Sequence, residues 1–287
     1  MRAFQRSKTV TMKIRHYEFN PSEALRPYVE CYWYQNFDGD IKAAAPIQRC
    51  VPLGMTEIIF HLNEHDCEVF FAGEWRKLPH AFVVGVYKDA VIWKSTGGCR
   101  IFGIRMKPEA LIEIFNIPAA MLANDYADIH DFFGRDMSAL TGSIIGETHV
   151  SNLIAYTERF LLGQMKYASR QMNYVSEATR MIRASKGNLR LETLSEQLYI
   201  SERQLQRSFK DGIGISPKAY QRIIRFRNAY EYLQHTADNF SWADVSYSFG
   251  YSDQAHFIRD FKQFTGAVPT ALLLQSEEFQ QMTTSLN

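Results

Sequence analysis

Between Tyr28 and Met106 the apolar and polar positions alternate in short runs. Tyr28–Gln35, Thr56–Leu62, Glu68–Ala72, Ala81–Tyr87, Ala90–Lys94 and Arg100–Met106 are rich in β-branched and aromatic residues, with Gly, Pro, Asp and Lys between them. Several short strands at this spacing, with no long helix between them, predict an antiparallel sandwich or barrel. After Met106 the period changes. Pro108 suits the first position of a helix through Phe115, because its fixed φ fits there and its missing N–H costs nothing. Further helices are expected over Arg135–Gly146 and Ser151–Met165. From about Tyr174 the chain has helical periodicity throughout. Ser201, Ser216, Ser241 and Ser252 each precede a helical stretch, where a hydroxyl can accept from the unpaired N–H groups of the first turn. Ser201 with Gln204 and Ser241 with Asp244 have capping-box spacing, and Ser216 is followed by Pro217. The expected fold class is α+β: an amino-terminal antiparallel β-rich domain with helices, sandwich- or barrel-like, followed by an all-α domain. The expected division is a first domain over 1–150, a helical linker over 151–174, a helical domain over 175–275 and a tail over 276–287.

Composition narrows the class. Across 287 residues, 14% aromatics exclude a disordered chain, and 16 Gly and 9 Pro exclude a linker-dominated one. No apolar run approaches the ~20 residues of a membrane span. The first eleven residues are polar and basic, without the apolar core of a signal peptide, and Met12 would also serve as a start. Cys31, Cys50, Cys67 and Cys99, at gaps of 19, 17 and 32, form no close pair. That fits reduced thiols and a cytoplasmic location. A net charge of +1 excludes a bulk polycation, but it is unevenly spread: residues 1–174 balance, 175–275 carry +3 and the tail carries −2.

Two segments of the helical half share one design: LETLSEQLYISERQLQRSFK from Leu191 to Lys210, and WADVSYSFGYSDQAHFIRDFK from Trp242 to Lys262. Each reads as a short helix, a tight turn ending in Ser, and a second helix closing on Phe-Lys. Leu205 and Phe209, and likewise Phe257 and Phe261, are i,i+4 pairs, so each second helix has one apolar face and one free face. The free faces carry Arg203, Gln206, Arg207 and Lys210 in the first unit, and Ala255, His256, Arg259 and Lys262 in the second. Arg can pair with guanine O6/N7 and Gln with adenine N6/N7 in the major groove. The two lysines either contact phosphates or are simply solvated.

On these residues, and above all on the second unit with its tail (Phe249-Gly250-Tyr251-Ser252-Asp253-Gln254, His256-Phe257, Phe261-Lys262, Thr265-Gly266, Pro269), the segment Arg190–Leu274 resembles the DNA-binding domain of the AraC/XylS family of bacterial transcription regulators. The resemblance implies a seven-helix domain with two helix-turn-helix units joined by a long helix, here Pro217–His235. Both second helices would enter successive major grooves of double-stranded DNA. It further implies RNA polymerase as a partner, modulation by an unidentified small-molecule effector, and homodimerisation. The family position of Ala255 is usually polar or small, and Ala255 would read a thymine methyl or nothing. The competing class is a non-catalytic protein-interaction or metal/ligand sensor module whose helical half does not read DNA.

One departure stands out. The family usually places Gly in the first turn, where this sequence has Tyr199; Gly250 keeps that place in the second. If the backbone there needs positive φ, Tyr199 is strained by an amount on the order of 1 kcal/mol. In the joining helix, Arg222, Arg225 and Arg227 either cover the core with their stems or contact phosphates.

The region Leu25–Ile145 resembles an uncharacterised amino-terminal domain that often precedes this module, through LRPYVECYWY, Val51-Pro52-Leu53-Gly54 and Phe102-Gly103-Ile104-Arg105-Met106-Lys107-Pro108. The resemblance implies effector sensing or self-association and names no ligand. His61, His65 and Cys67 could supply metal ligands, but no second cluster completes a shell, and no metal or cofactor is expected. Tyr32, Trp33, Tyr34, Phe60, Phe71, Trp75 and Trp93 would line an apolar pocket or simply fill the core. The scattered cysteines do not support methyl transfer to a zinc-bound thiolate, and no hydrolase, P-loop, metalloprotease or dinucleotide motif is present, so no catalysis is expected.

Overall fold

A computed structural model describes residues 13–39, 45, 47–64, 67–133, 135–165, 174–235 and 240–274. Its strands are Lys13–Phe19 (β1), Val29–Asp38 (β2), Gln48–Cys50 (β3), Thr56–His61 (β4), Glu68–Phe71 (β5), Glu74–Lys77 (β6), Ala81–Val84 (β7), Val91–Lys94 (β8), Arg100–Met106 (β9) and Tyr126–Asp128 (β10). They form a six-stranded sheet in the order β1-β2-β9-β4-β7-β10 and a four-stranded sheet in the order β3-β8-β5-β6. Every pairing in both is antiparallel.

The large sheet is buried on both faces, which is why alternation along its strands separates two apolar sets rather than apolar from polar. Tyr32, Phe60, Phe102 and Ile104 project to one face and pack with Leu111, Ile114, Met137, Leu140, Leu153 and Leu161. Those partners come from the helices Pro108–Phe115 (α1), Arg135–Ile144 (α3) and Val150–Gln164 (α4), with Ile129–Phe133 (α2) beside them. Trp33 and Ile101 project to the other face and share a second cluster with Cys67 and Trp93 of the four-stranded side. Gly103 stands opposite Trp33 across the β2–β9 pair, and a Cβ there would overlap the indole. Each fully buried Phe of this core contributes roughly 1.5–3 kcal/mol.

The carboxyl-terminal helices are Tyr174–Ala184 (α5), Leu191–Gln197 (α6), Glu202–Ile213 (α7), Pro217–His235 (α8), Trp242–Ser248 (α9), Gln254–Thr265 (α10) and Pro269–Leu274 (α11). One cluster unites Ile182, Leu194, Leu205, Phe209, Phe226 and Phe261, and it also takes in Val51 and Val86 from the β-rich part.

The α+β architecture, α1 and α8 agree with the sequence-based expectation. Four strands escaped it. β1 carries Arg15 and Glu18 within its alternation, β6 is a largely exposed EWRK hairpin arm, and β3 and β10 have three residues each. Too little of each is apolar or long enough to generate a pattern. His65, Met12 and the 276–287 tail lie outside the described residues.

Candidate nucleic-acid interface

The two units repeat at the level of individual backbone bonds. Each first helix has 7 residues and each second helix 12. In the first turn Tyr199 N–H donates to Glu196 O (3.0 Å) and Ile200 N–H to Ser195 O (3.1 Å); in the second, Gly250 N–H donates to Tyr247 O (3.1 Å) and Tyr251 N–H to Ser246 O (3.0 Å). Both turns pass through the left-handed region, with φ 56° at Tyr199 and 75° at Gly250. Gly214 (φ 90°) and Gly266 (φ 75°) close α7 and α10, giving their N–H groups to Lys210 O and Lys262 O.

Ser201 caps α7, its Oγ accepting from Gln204 N–H at 3.2 Å; Ser216 and Ser241 cap α8 and α9 in the same way. The second helix of the second unit differs from expectation. Its cap is Asp253, one residue after Ser252, whose Oδ1 accepts from His256 N–H at 2.7 Å. A carboxylate reaches the first-turn donors better than the Ser252 hydroxyl, and it also complements the helix dipole. That hydrogen bond is the first cause holding the Asp253 carboxyl below its usual range.

Leu205, Phe209, Phe257 and Phe261 are buried, as the i,i+4 pairing requires. Arg203, Gln206, Arg207 and Lys210 are exposed on α7, and Ala255, Arg259 and Lys262 on α10. Arg207 has Asp211 one turn on, with Nε to Oδ2 at 3.7 Å and both side chains largely in solvent. His256 is set deeper. Its Nδ1 lies 3.2 Å from Ser252 Oγ, its Nε2 3.8 Å from Asp260 Oδ2, and its ring stands edge-on to Tyr251 at 5.2 Å.

α8 braces both units. Tyr220 packs on Phe209 (5.6 Å between centroids), while Phe226 packs on Phe261 (5.5 Å) and Phe264 (5.0 Å). Its arginines are engaged within the protein. Arg222 donates to the buried Asp260 (2.7 Å) and to Gln263 (2.7 Å). Arg225 donates to the turn carbonyl of Gly250 (3.1 Å) and lies over the Tyr251 ring. Arg227 holds Glu30 and Glu231. These arginines join elements to one another, a role that neither expectation for them named.

With this geometry in hand, comparison with known proteins gives two family matches. Residues 194–275 match a family described as a helix-turn-helix domain. The carboxyl-terminal domain is an AraC-type helix-turn-helix domain. Residues 17–128 match a domain of unknown function, DUF6597. The chain is 29% identical over 157 residues to the arabinose operon regulatory protein of Escherichia coli K12, covering 52% of each chain. It is 26% identical over 129 residues to the Msm operon regulatory protein of Streptococcus mutans, covering 44% of this chain and 45% of that protein. The chain thus spans about half the length of the curated relatives it matches. Among solved structures, ToxT from Vibrio cholerae aligns over 92% of this chain and 98% of its own, with a TM-score of 0.46 and 9% identity.

The AraC-type domain is docked on the β-rich part by charged contacts. Arg183 of α5 grips the fully buried Glu109 of α1 through both guanidinium nitrogens, one at 2.9 Å, and also donates to Tyr220 Oη (3.0 Å). Arg180 reaches Glu113 at 2.5 Å. Glu30 of β2 receives Arg227; burial works against its charge, but the Arg227 guanidinium outweighs it and holds the carboxyl below its usual range. Arg49 donates to Thr265 O beside Gly266, and Gln263 to Asp89 at 3.3 Å. None of these acidic partners stood out in the sequence, because a carboxylate that will be buried against an arginine reads like any solvated one.

Of the seven aromatics expected around a pocket, Trp33 and Trp93 line a cavity between the sheets. Tyr32 and Phe60 fill the helix-facing core, with Tyr34 packed against it. Phe71 and Trp75 lie on the β5–β6 hairpin, half-buried. Strand alternation sends neighbouring aromatics to opposite faces. His61 and Cys67 also line the cavity, and among the described residues no cluster of His, Cys, Asp and Glu could hold a metal. Cys31, Cys50, Cys67 and Cys99 form no disulfide, and burial raises each thiol, Cys31 and Cys50 to about 12. Among the described residues no helix is long and apolar enough to cross a membrane.

Proposed function

We propose that this chain is a sequence-specific DNA-binding transcription regulator, in which α7 and α10 read successive major grooves and the β-rich part modulates that reading. The observation that carries this is the exposure of seven polar or small side chains on two reader helices whose apolar faces are locked onto one helix. α8, with 19 residues, is about 28 Å long at 1.5 Å per residue. That is comparable with the ~34 Å turn separating successive major grooves. Arg203, Gln206, Arg207, Ala255 and Arg259 face the bases, Lys210 and Lys262 the phosphates, and His256 the groove edge. Residues 1–150 form the sensing and self-association part, with a connector over 151–174 and the reader over 175–275. A second copy and RNA polymerase are the protein partners in this reading, in a cytoplasmic setting.

Selection of bound duplexes from a random pool with the purified chain tests it. An enriched motif with two parts about one turn apart is the expected result, with log K falling steeply against log salt. Arg207→Ala and Arg259→Ala should each relax one base position at a cost of ~1–3 kcal/mol. No enrichment, with a flat salt response, would instead mark the helical half as a protein-binding module.

A further inference from the structure

The cavity between the sheets has a volume of about 110 Å³, and its wall includes Val51, Leu53, Met55, Ile59 and Val84. An engineered apolar cavity of about 150 Å³ holds benzene, so this smaller space sets a single ring as the upper size of an occupant. Its wall carries three buried polar atoms without a hydrogen-bond partner, Trp93 Nε1 and a cross-strand pair. His16 and Gln35 are cross-strand partners on β1 and β2, and both line the cavity. Gln35 Nε2 and His16 Nδ1 are buried without a hydrogen-bond partner. The Gln35 amide N–H is a donor. His16 Nε2 lies 3.4 Å from Glu18 Oε1, so in the neutral ring Nε2 carries the proton and Nδ1 is an acceptor. A buried donor and a buried acceptor left unmet destabilise the empty cavity. A hydroxyl answers both, its oxygen accepting from Gln35 and its hydrogen going to His16.

Charge narrows the ligand further. Arg105 is the guanidinium on the wall, and it already donates to Glu57 (2.8 Å) and Glu18 (2.8 Å). With two carboxylates on one cation, an anionic ligand meets net negative charge. An ammonium would supply no acceptor for Gln35. We propose that this cavity binds a small uncharged hydroxyl compound with a ring-sized apolar body. The loop from Val51 to Met55 would report its presence. Val51, Leu53 and Met55 line the cavity, while Gly54 between them abuts Tyr220, Ile223 and Ile224 of α8. Binding itself is independent of the DNA-reading proposal; only its regulatory consequence rests on it.

The test uses the full chain without DNA and four matched probes: phenol, toluene, benzoate and benzylammonium. Saturation-transfer NMR and titration calorimetry should show saturable phenol binding, toluene at least about tenfold weaker, and no binding of the two ions. Gln35→Leu and His16→Phe should each weaken phenol about tenfold, the size of one hydrogen bond lost, and Ile59→Trp should abolish binding by filling the space. The proposal is overturned if either ion binds as well as phenol, if toluene matches phenol, or if no probe binds. Should a variant fail to fold, the ranking of the four probes on the unaltered chain decides. A phenol-induced change in operator affinity is measured separately, so failure of one reading leaves the other standing.

Discussion

The two helix-turn-helix turns offer a matched pair of substitutions in opposite directions. Tyr199 sits at φ 56° with its side chain 95% exposed. A non-glycine residue in the left-handed region costs about 1–2 kcal/mol, and at this exposure little burial offsets it. Tyr199→Gly removes that strain but adds about 0.4–1 kcal/mol of unfolded-chain freedom. The net should be a gain of about 0.5–1 kcal/mol, or about 1–4 °C in Tm for a chain of this size. Gly250→Ala runs the other way. It places a Cβ at φ 75° and against Asn188 Oδ1, so strain and displacement add, for a loss of about 1–2 kcal/mol. Urea unfolding gives the totals, and hydrogen exchange at the amides of α6 and α7 against α9 and α10 localises them. Specific DNA affinity should be unchanged or tighter in Tyr199→Gly, since the reader face is untouched. A lower Tm for Tyr199→Gly, or a neutral Gly250→Ala, would refute the claim that this turn geometry is strained.

Other outcomes follow from the ion pairs. Glu109→Ala leaves Arg183 partly buried without its carboxylate and should cost about 3–5 kcal/mol, while Glu109→Leu with Arg183→Met should recover most of that in a double-mutant cycle. Asp260→Asn frees Arg222 from its buried partner and should loosen α10 by about 1.5–3 kcal/mol; DNA selection should then show weaker binding with an unaltered base preference. The Glu30 carboxyl is held below its usual value in the folded protein. Its contribution is therefore complete above the unfolded value of about 4.3 and is lost as pH falls below it. Melting curves between pH 7 and pH 3 should slope down in that range, and Glu30→Gln should flatten that part of the slope.

Much of the reader was legible because its apolar spacing, caps and glycines all point to one structure. Leu205 with Phe209 and Phe257 with Phe261 define the buried faces, and what they leave over is the candidate contact surface. The sandwich was legible in class but not in its edges, since β1 sets the polar His16 and Glu18 beside Ile14 on its inward face. For the same reason the His16–Gln35 pair was invisible: nothing in a sequence distinguishes a polar residue facing a cavity from one facing water. The docking contacts were hidden in another way. Glu30–Arg227 and Glu109–Arg183 join residues 197 and 74 positions apart, so only the folded chain pairs them.

Both readers are seated on the single helix α8, and this fixes more than their spacing. One residue inserted near its middle would turn the second unit by about 100° and advance it by about 1.5 Å relative to the first. A base pair inserted in the duplex turns the second half-site by only about 34–36° and advances it by about 3.4 Å. The two screws do not share a pitch, so a change of length in one cannot be repaired by a change of length in the other. Operators for this chain should therefore tolerate base substitutions between their two halves far better than insertions.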